Sequence, residues 1–155
     1  METEKKLKML QIFYAGVLAD SVLRMGQEGI LKKVEEQKRN EQLLSGKMRA
    51  QQLGIQKPQD VFEILPEIFG CANWHVENNE TGFIAEASNC MLCSMTKKLG
   101  AKSPCRIYCL DAMEGMVKGI DDSALYHVKS TLWDSDKCRV EVKENNSDRT
   151  NRNQC

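Results

Sequence analysis

The sequence predicts an α+β fold: an antiparallel sheet of about four to five strands, helices packed on one face, and N-terminal helices ahead of it. Three observations carry that expectation. Residues 1–70 show apolar residues at steps of three and four. Two pairs of short segments later in the chain alternate apolar and polar residues around polar turns. Between those pairs, "CMLCSMTKKL" and "PCRIYCLDAMEGMVKGI" return to helical spacing. Strand pairs separated by helices give an antiparallel sheet covered on one side.

The first helix is expected from about Glu4 to Met25, with Leu7, Leu10, Phe13/Tyr14, Val17/Leu18 and Val22 as its buried stripe. Gly26 and Gly29 punctuate it. A second, very polar helix follows from Ile30 to about Leu53. Its sparse apolar positions (Ile30, Leu31, Val34, Leu43, Leu44, Met48) suit one narrow packing stripe or a partner chain, and Gly54 stops it. In "KPQDVFEILPEIFG", Pro58 opens a short helix and Pro66 is expected to kink or end it, with Val61, Phe62, Leu65 and Phe69 on one face.

The period then changes. "WHVENNETGFIAEA" reads as two strands around "NNETG", with Trp74 and Val76 alternating with His75 and Glu77. A helix from Cys90 to Leu99, the loop "GAKSP", and a helix opened by Pro104 come next. Gly115 and Gly119 are expected to bring that helix close to the sheet. "ALYHVKSTLW", "DSDK" and "CRVEV" form the closing hairpin, with Tyr126, Val128, Ser130 and Leu132 on one face. Cys138, Val140 and Val142 are buried opposite. Residues 1–143 are read as one domain, a helical part over 1–70 and a sheet-and-helix core over 71–143. Residues 144–155, nearly devoid of apolar side chains, form an expected disordered tail.

The bulk numbers narrow the function classes. A chain of 155 residues with 41% apolar and 28% charged content can bury a real core. Its formal net charge of zero gives no footprint for nucleic acid. No apolar run reaches the ~20 residues of a membrane span, and "METEKKLKML" lacks a signal-peptide core. The expected location is the cytoplasm. There the seven cysteines are thiols or metal ligands rather than a disulfide frame, and the sequons at Asn79 and Asn145 are chance matches.

Four of the cysteines, Cys90, Cys93, Cys105 and Cys109, leave three readings open. As C-x2-C and C-x3-C pairs they could close a tetrahedral zinc site, which makes zinc the candidate cofactor. As helix-start thiols, Cys90 and Cys105 could be nucleophiles, with His75 or His127 as partner. As small hydrophobes they could fill the core. Asp111 and Glu114 lie three apart, and Asp111 is the better candidate to meet a ligand because it follows Cys109 so closely. Met91, Met95, Met113 and Met116, with Trp74, Phe83, Tyr108 and Trp133, could line an apolar pocket or simply make the core.

The stretch from Trp74 to Lys143 resembles the 4-vinyl reductase-type small-molecule-binding domains and their relatives, the L-2-amino-thiazoline-4-carboxylic acid hydrolase-like proteins. The resemblance lies in Cys90 after a strand, in "CRIYCLDAMEGMVKGI" as a cysteine leading into a helix, and in "VKSTLWDSDKCRVEV" as the closing hairpin. It implies the fold of ligand-binding domains from nitric-oxide signalling and Golgi transport, with an apolar pocket between helices and sheet. "KSTLW" departs from the family's Glu-Thr-x-Cys stretch and puts Trp133 near the cysteine position. On this basis the protein is expected to bind a small, largely apolar molecule through Cys90, Tyr108, Cys109, Asp111, Met113, Met116, Trp133 and Cys138. It is also expected to form a homodimer through its N-terminal helices. The alternatives are a hydrolase of a cyclic amidine such as 2-amino-thiazoline-4-carboxylate, or a zinc-binding interaction protein.

Overall fold

The computed structural model describes residues 1–144. The predicted tail beyond Glu144, the sequon at Asn145 and Cys155 lie outside them. Five helices and four strands follow in the order α1 (Thr3–Gln27), α2 (Leu31–Gln52), α3 (Val61–Phe69), β1 (His75–Asn78), β2 (Gly82–Ala87), α4 (Met91–Lys98), α5 (Asp111–Ile120), β3 (Leu125–Ser130) and β4 (Cys138–Lys143). A wide π-helical turn, Arg106–Leu110, leads directly into α5.

The sheet is antiparallel throughout, in the order β1-β2-β4-β3. Its pleat sorts the side chains as the alternation requires. Phe83 pairs with Val142 and Ala85 with Val140, all fully buried. They join Val61, Phe62, Met113 and Met116 in the main core. On the opposite face Arg139 bonds Glu86, and Lys129 pairs with Glu141 at 3.3 Å. β3 lies at the edge and is largely exposed, Val128 included. This is the predicted α+β architecture, with helices on the apolar side.

Several expectations about the helices are corrected. On α1 the apolar stripe Leu7, Leu10, Phe13, Tyr14 and Val17 is exposed, and the buried face is Gln11, Ala15, Ala19 and Val22. Small side chains let α1 lie close across α4. Gln11 donates to the carbonyls of Glu67 and Ile68, both at 3.1 Å, and so ties α1 to the end of α3. Helix α2 is continuous, and it buries Leu31, Gln42, Gly46 and Ala50 while Leu44 and Met48 stand exposed.

The glycines of α5 pack against α2 rather than against the sheet. A Cβ on Gly46 would strike the Gly115 carbonyl, and one on Gly119 would strike the Lys47 backbone. Backbone-to-backbone contact of this kind needs residues without side chains. Pro66 does not end α3, which runs on to Phe69 and stops at Gly70 in the left-handed conformation (φ 63°). Gly29 and Gly54 stop the first two helices in the same conformation.

Arg39 of α2 locks this crossing electrostatically. Its guanidinium donates to Asp111 at 2.8 Å and Glu114 at 2.6 Å, and Lys118 meets Glu114 at 2.6 Å. Burial pushes the Glu114 carboxyl up, but the Arg39 and Lys118 hydrogen bonds outweigh it and leave it below the usual range. Among the described residues no helix is long and apolar enough to cross a membrane.

Candidate functional site

A cavity of about 370 Å³ opens among α1, α2, α3 and the start of α5. Each wall follows from a local sequence feature. Tyr14 and Leu18 come from α1, and Leu65, Pro66 and Phe69 come from α3. Tyr14 stacks on Phe69 with centroids 5.4 Å apart, which fixes one side of the mouth. Trp74 lies edge-on to Phe62 at 5.1 Å and stiffens the sheet side. Met113 and Met116 form the floor.

The wide turn Arg106–Leu110 brings Tyr108 and Cys109 to the cavity. An i→i+5 turn of this kind re-aims side chains at the head of a helix. Cys109, Ala112, Met113 and Met116 then follow on one face of α5. The Tyr108 hydroxyl contacts Ser21 Oγ at 2.5 Å, which holds the ring against α1.

Cys90 reaches the cavity from the corner between β2 and α4. Asn73 shapes that corner: its side-chain Oδ1 accepts the backbone N–H groups of Ser88 and Asn89, both at 3.0 Å. Ala72 forms an isolated bridge with Cys90, and the Met91 N–H donates to the Cys71 carbonyl at 2.7 Å. Cys90 is the N-cap of α4, and its sulfur accepts the Cys93 N–H at 3.5 Å.

Hydrogen bonding to the Cys93 side chain, offset in part by burial, and then the helix-start N–H groups hold the Cys90 thiol down at about 6. The Cys105 thiol is lowered as well, first by its hydrogen bond with the Cys93 side chain, whereas three other thiols go the opposite way. Burial pushes Cys71 up to about 11 and Cys138 up to about 12, and raises Cys109 well above its ordinary value.

The expected site residues divide. Cys90, Tyr108, Cys109, Met113 and Met116 meet on the large cavity. Cys138 lines a small neighbouring cavity, which Cys90 and Cys109 also touch. Asp111 and Trp133 line neither. At about 100° per residue, Asp111 sits about 200° around the helix from Cys109. It therefore faces Arg39 of α2, and closeness in sequence misled. Trp133 lies on the turn after β3, with the Lys97 ammonium 5.3 Å from its ring centre.

Of the proposed zinc ligands, Cys93 and Cys105 touch sulfur to sulfur at 3.4 Å, whereas Cys109 contacts the Met113 sulfur at 3.9 Å. Among the described residues no group of three or more Cys, His, Asp or Glu side chains is arranged to hold a metal ion. His75 and His127 are exposed on the polar face of the sheet, opposite Glu86 and Glu141.

Sequence reasoning missed Arg49. It lies at the exposed end of α2 and lines the cavity beside Gln52 and Leu53. Among the described residues no ion pair involves it. On a helix so rich in Lys and Arg, nothing in the sequence sets this one apart.

In comparison with known proteins, the chain matches no family model, no curated protein and no solved structure.

Proposed function

We propose that the protein binds a small, largely apolar molecule in the large cavity, with a negatively charged end of that molecule held at Arg49. The carrying observation is the cavity itself. Its volume of about 370 Å³ suits a small ligand, and its walls are mostly aliphatic, aromatic and sulfur-bearing. Methionines on the floor adapt to a ligand's shape, and the cation at the rim orients its polar end. Cys90 and Cys109 face the bound molecule in this reading, and the 4-vinyl reductase-type resemblance points the same way.

The exposed stripe Leu7, Leu10, Phe13 and Val17 runs along the helix whose Tyr14 lines the cavity. We expect a second copy of the chain to cover it, as the homodimer reading holds. A cytoplasmic location belongs to the same proposal, supported by six free thiols among the described residues.

Native mass spectrometry of the purified chain, followed by thermal melts with aromatic and medium-chain carboxylates, tests the binding. A binder at about 100 times its Kd adds roughly 2.7 kcal/mol and raises the melting temperature by several degrees. Arg49→Glu is expected to weaken carboxylates about tenfold, and Met116→Trp to abolish binding by filling the floor. No co-purifying mass and no shift with any apolar carboxylate would sink the proposal.

A second reading, hydrolysis of a cyclic amidine such as 2-amino-thiazoline-4-carboxylate, is favoured by one observation, the acidic Cys90 thiol on the cavity wall. It lacks a histidine base, since both histidines stand on the far face of the sheet. Turnover of such a substrate that disappears in Cys90→Ser would decide for it.

A further inference from the structure

Five cysteines, Cys90, Cys93, Cys105, Cys109 and Cys138, surround the second cavity, which has a volume of about 30 Å³. That is room for a molecule the size of water or hydrogen peroxide. The five come from the α4 N-terminus, the turn before α5 and the start of β4, so only the folded chain gathers them. They are not equivalent. Cys90 is half-buried and touches both cavities, while Cys93 and Cys105 are buried. The Cys93 thiol is shared by hydrogen bonding between Cys90 and Cys105. Packing alone explains buried thiols, but it does not explain a half-buried N-cap thiol whose sulfur accepts the backbone N–H of a second, buried cysteine.

We propose that Cys90 and Cys93 form a peroxide-reactive dithiol, in which Cys90 is the attacking sulfur and Cys93 the resolving one. A small hydroperoxide enters through the large cavity. The Cys90 thiolate attacks its outer oxygen and the O–O bond breaks. The departing alkoxide, or hydroxide, takes a proton from solvent, and Cys90 becomes a sulfenic acid. The Cys93 sulfur then attacks the Cys90 sulfur. The S–S bond forms, the S–O bond breaks, and hydroxide leaves with the Cys93 proton as water. Two thiols are oxidised and one peroxide is reduced to an alcohol or water.

The geometry suits each role. The Cys90 sulfur already accepts an N–H at the start of α4, which favours its thiolate, and the lowered Cys90 pKa agrees. Cys93 lies one helical turn on, where a resolving thiol is needed. Cys105, 3.4 Å from Cys93, is placed to receive the disulfide by exchange if oxidation goes further inward. The large cavity serves this chemistry only as an entrance, so the reaction can be tested on the chain with no added carboxylate, separately from the binding proposal.

The test treats the reduced full chain with one equivalent of hydrogen peroxide, alkylates the remaining thiols and maps them by peptide mass spectrometry. Cys90 and Cys93 are expected to lose alkylation together, with the loss of two hydrogens from their shared peptide. Cys90 should react about tenfold faster than Cys71, whose thiol is raised by burial. In Cys93→Ser the Cys90 sulfenic acid should persist long enough to be trapped by dimedone. In Cys90→Ser, Cys93 should stay reduced. Serine is itself a good N-cap, so this variant keeps α4. Oxidation that starts at Cys71 or Cys109, or a Cys90 oxidised without a disulfide in the unaltered chain, would overturn the proposal.

Discussion

Helix α1 and the strands β2 and β4 carry equally clear apolar patterns, yet only the strands bury the face that the pattern marks. Phe83 on β2 is fully buried, while Phe13 on α1 is 64% exposed. A strand in a sheet has two faces, and once its neighbours pair with it the pleat allows no other choice. A helix can turn any side to its neighbour. Here α1 turns the side that allows the closest approach, through Ala15 and Ala19, and leaves its large side chains out. The same preference governs α2, which meets α5 through Gly46 and Ala50 and leaves Leu44 exposed. Apolar pattern predicts burial well where geometry leaves one choice, and poorly where small residues compete for the contact.

The two phenylalanines provide the widest test of that contrast. Phe83→Ala is expected to cost about 3–5 kcal/mol in urea unfolding, because it opens a cavity between sheet and helices. Phe13→Ala should change the stability of the isolated chain by less than about 0.5 kcal/mol. If α1 is the dimer contact, the same change will instead shift the monomer–dimer equilibrium in sedimentation. Equal losses from both substitutions in dilute protein would contradict the exposed stripe.

A finer comparison uses two helical glycines. A helix interior ordinarily gains about 0.5–1 kcal/mol when Gly becomes Ala. Gly16→Ala in α1 meets nothing within 4 Å and should show that gain. Gly46→Ala in α2 should lose about 2 kcal/mol instead, because its Cβ meets the Gly115 carbonyl. Opposite signs in the two urea midpoints confirm that the α2–α5 crossing is a backbone contact, and matching signs refute it.

A third comparison concerns the charges over that crossing. The Glu114 carboxyl is lowered in the folded chain relative to the unfolded one. Its contribution is therefore complete above the ordinary glutamate value of about 4.3 and is lost as pH falls through the folded value. Arg39→Met, which removes the cation from two buried carboxylates, should cost about 2 kcal/mol near neutral pH. It should also flatten the fall in stability below about pH 4.3. An unchanged acid limb in Arg39→Met would show that the pair contributes nothing.

These contrasts explain how much of the site was legible beforehand. Tyr108, Cys109, Met113 and Met116 were legible as a helically spaced set after Pro104, but the expectation that they meet a pocket, with Cys90 beside them, came from the family resemblance and not from periodicity. Asp111 was misplaced because neighbours in sequence sit far apart around a helix. Arg49 was not visible at all, since a rim cation is defined by a cavity formed from other segments.

By itself the sequence determined the local grammar: strands from period-two alternation, helices from steps of three and four, and the stop at Gly54, which takes the left-handed conformation. These depend on residues a few positions apart. Only the tertiary structure decided which helical faces are covered, that α5 lies against α2 through bare backbone, and that five cysteines ring one small space. Those are relations between segments tens of residues apart. They rest on which surfaces fit most closely, a property of two helices or of a helix and a sheet together and of neither one alone.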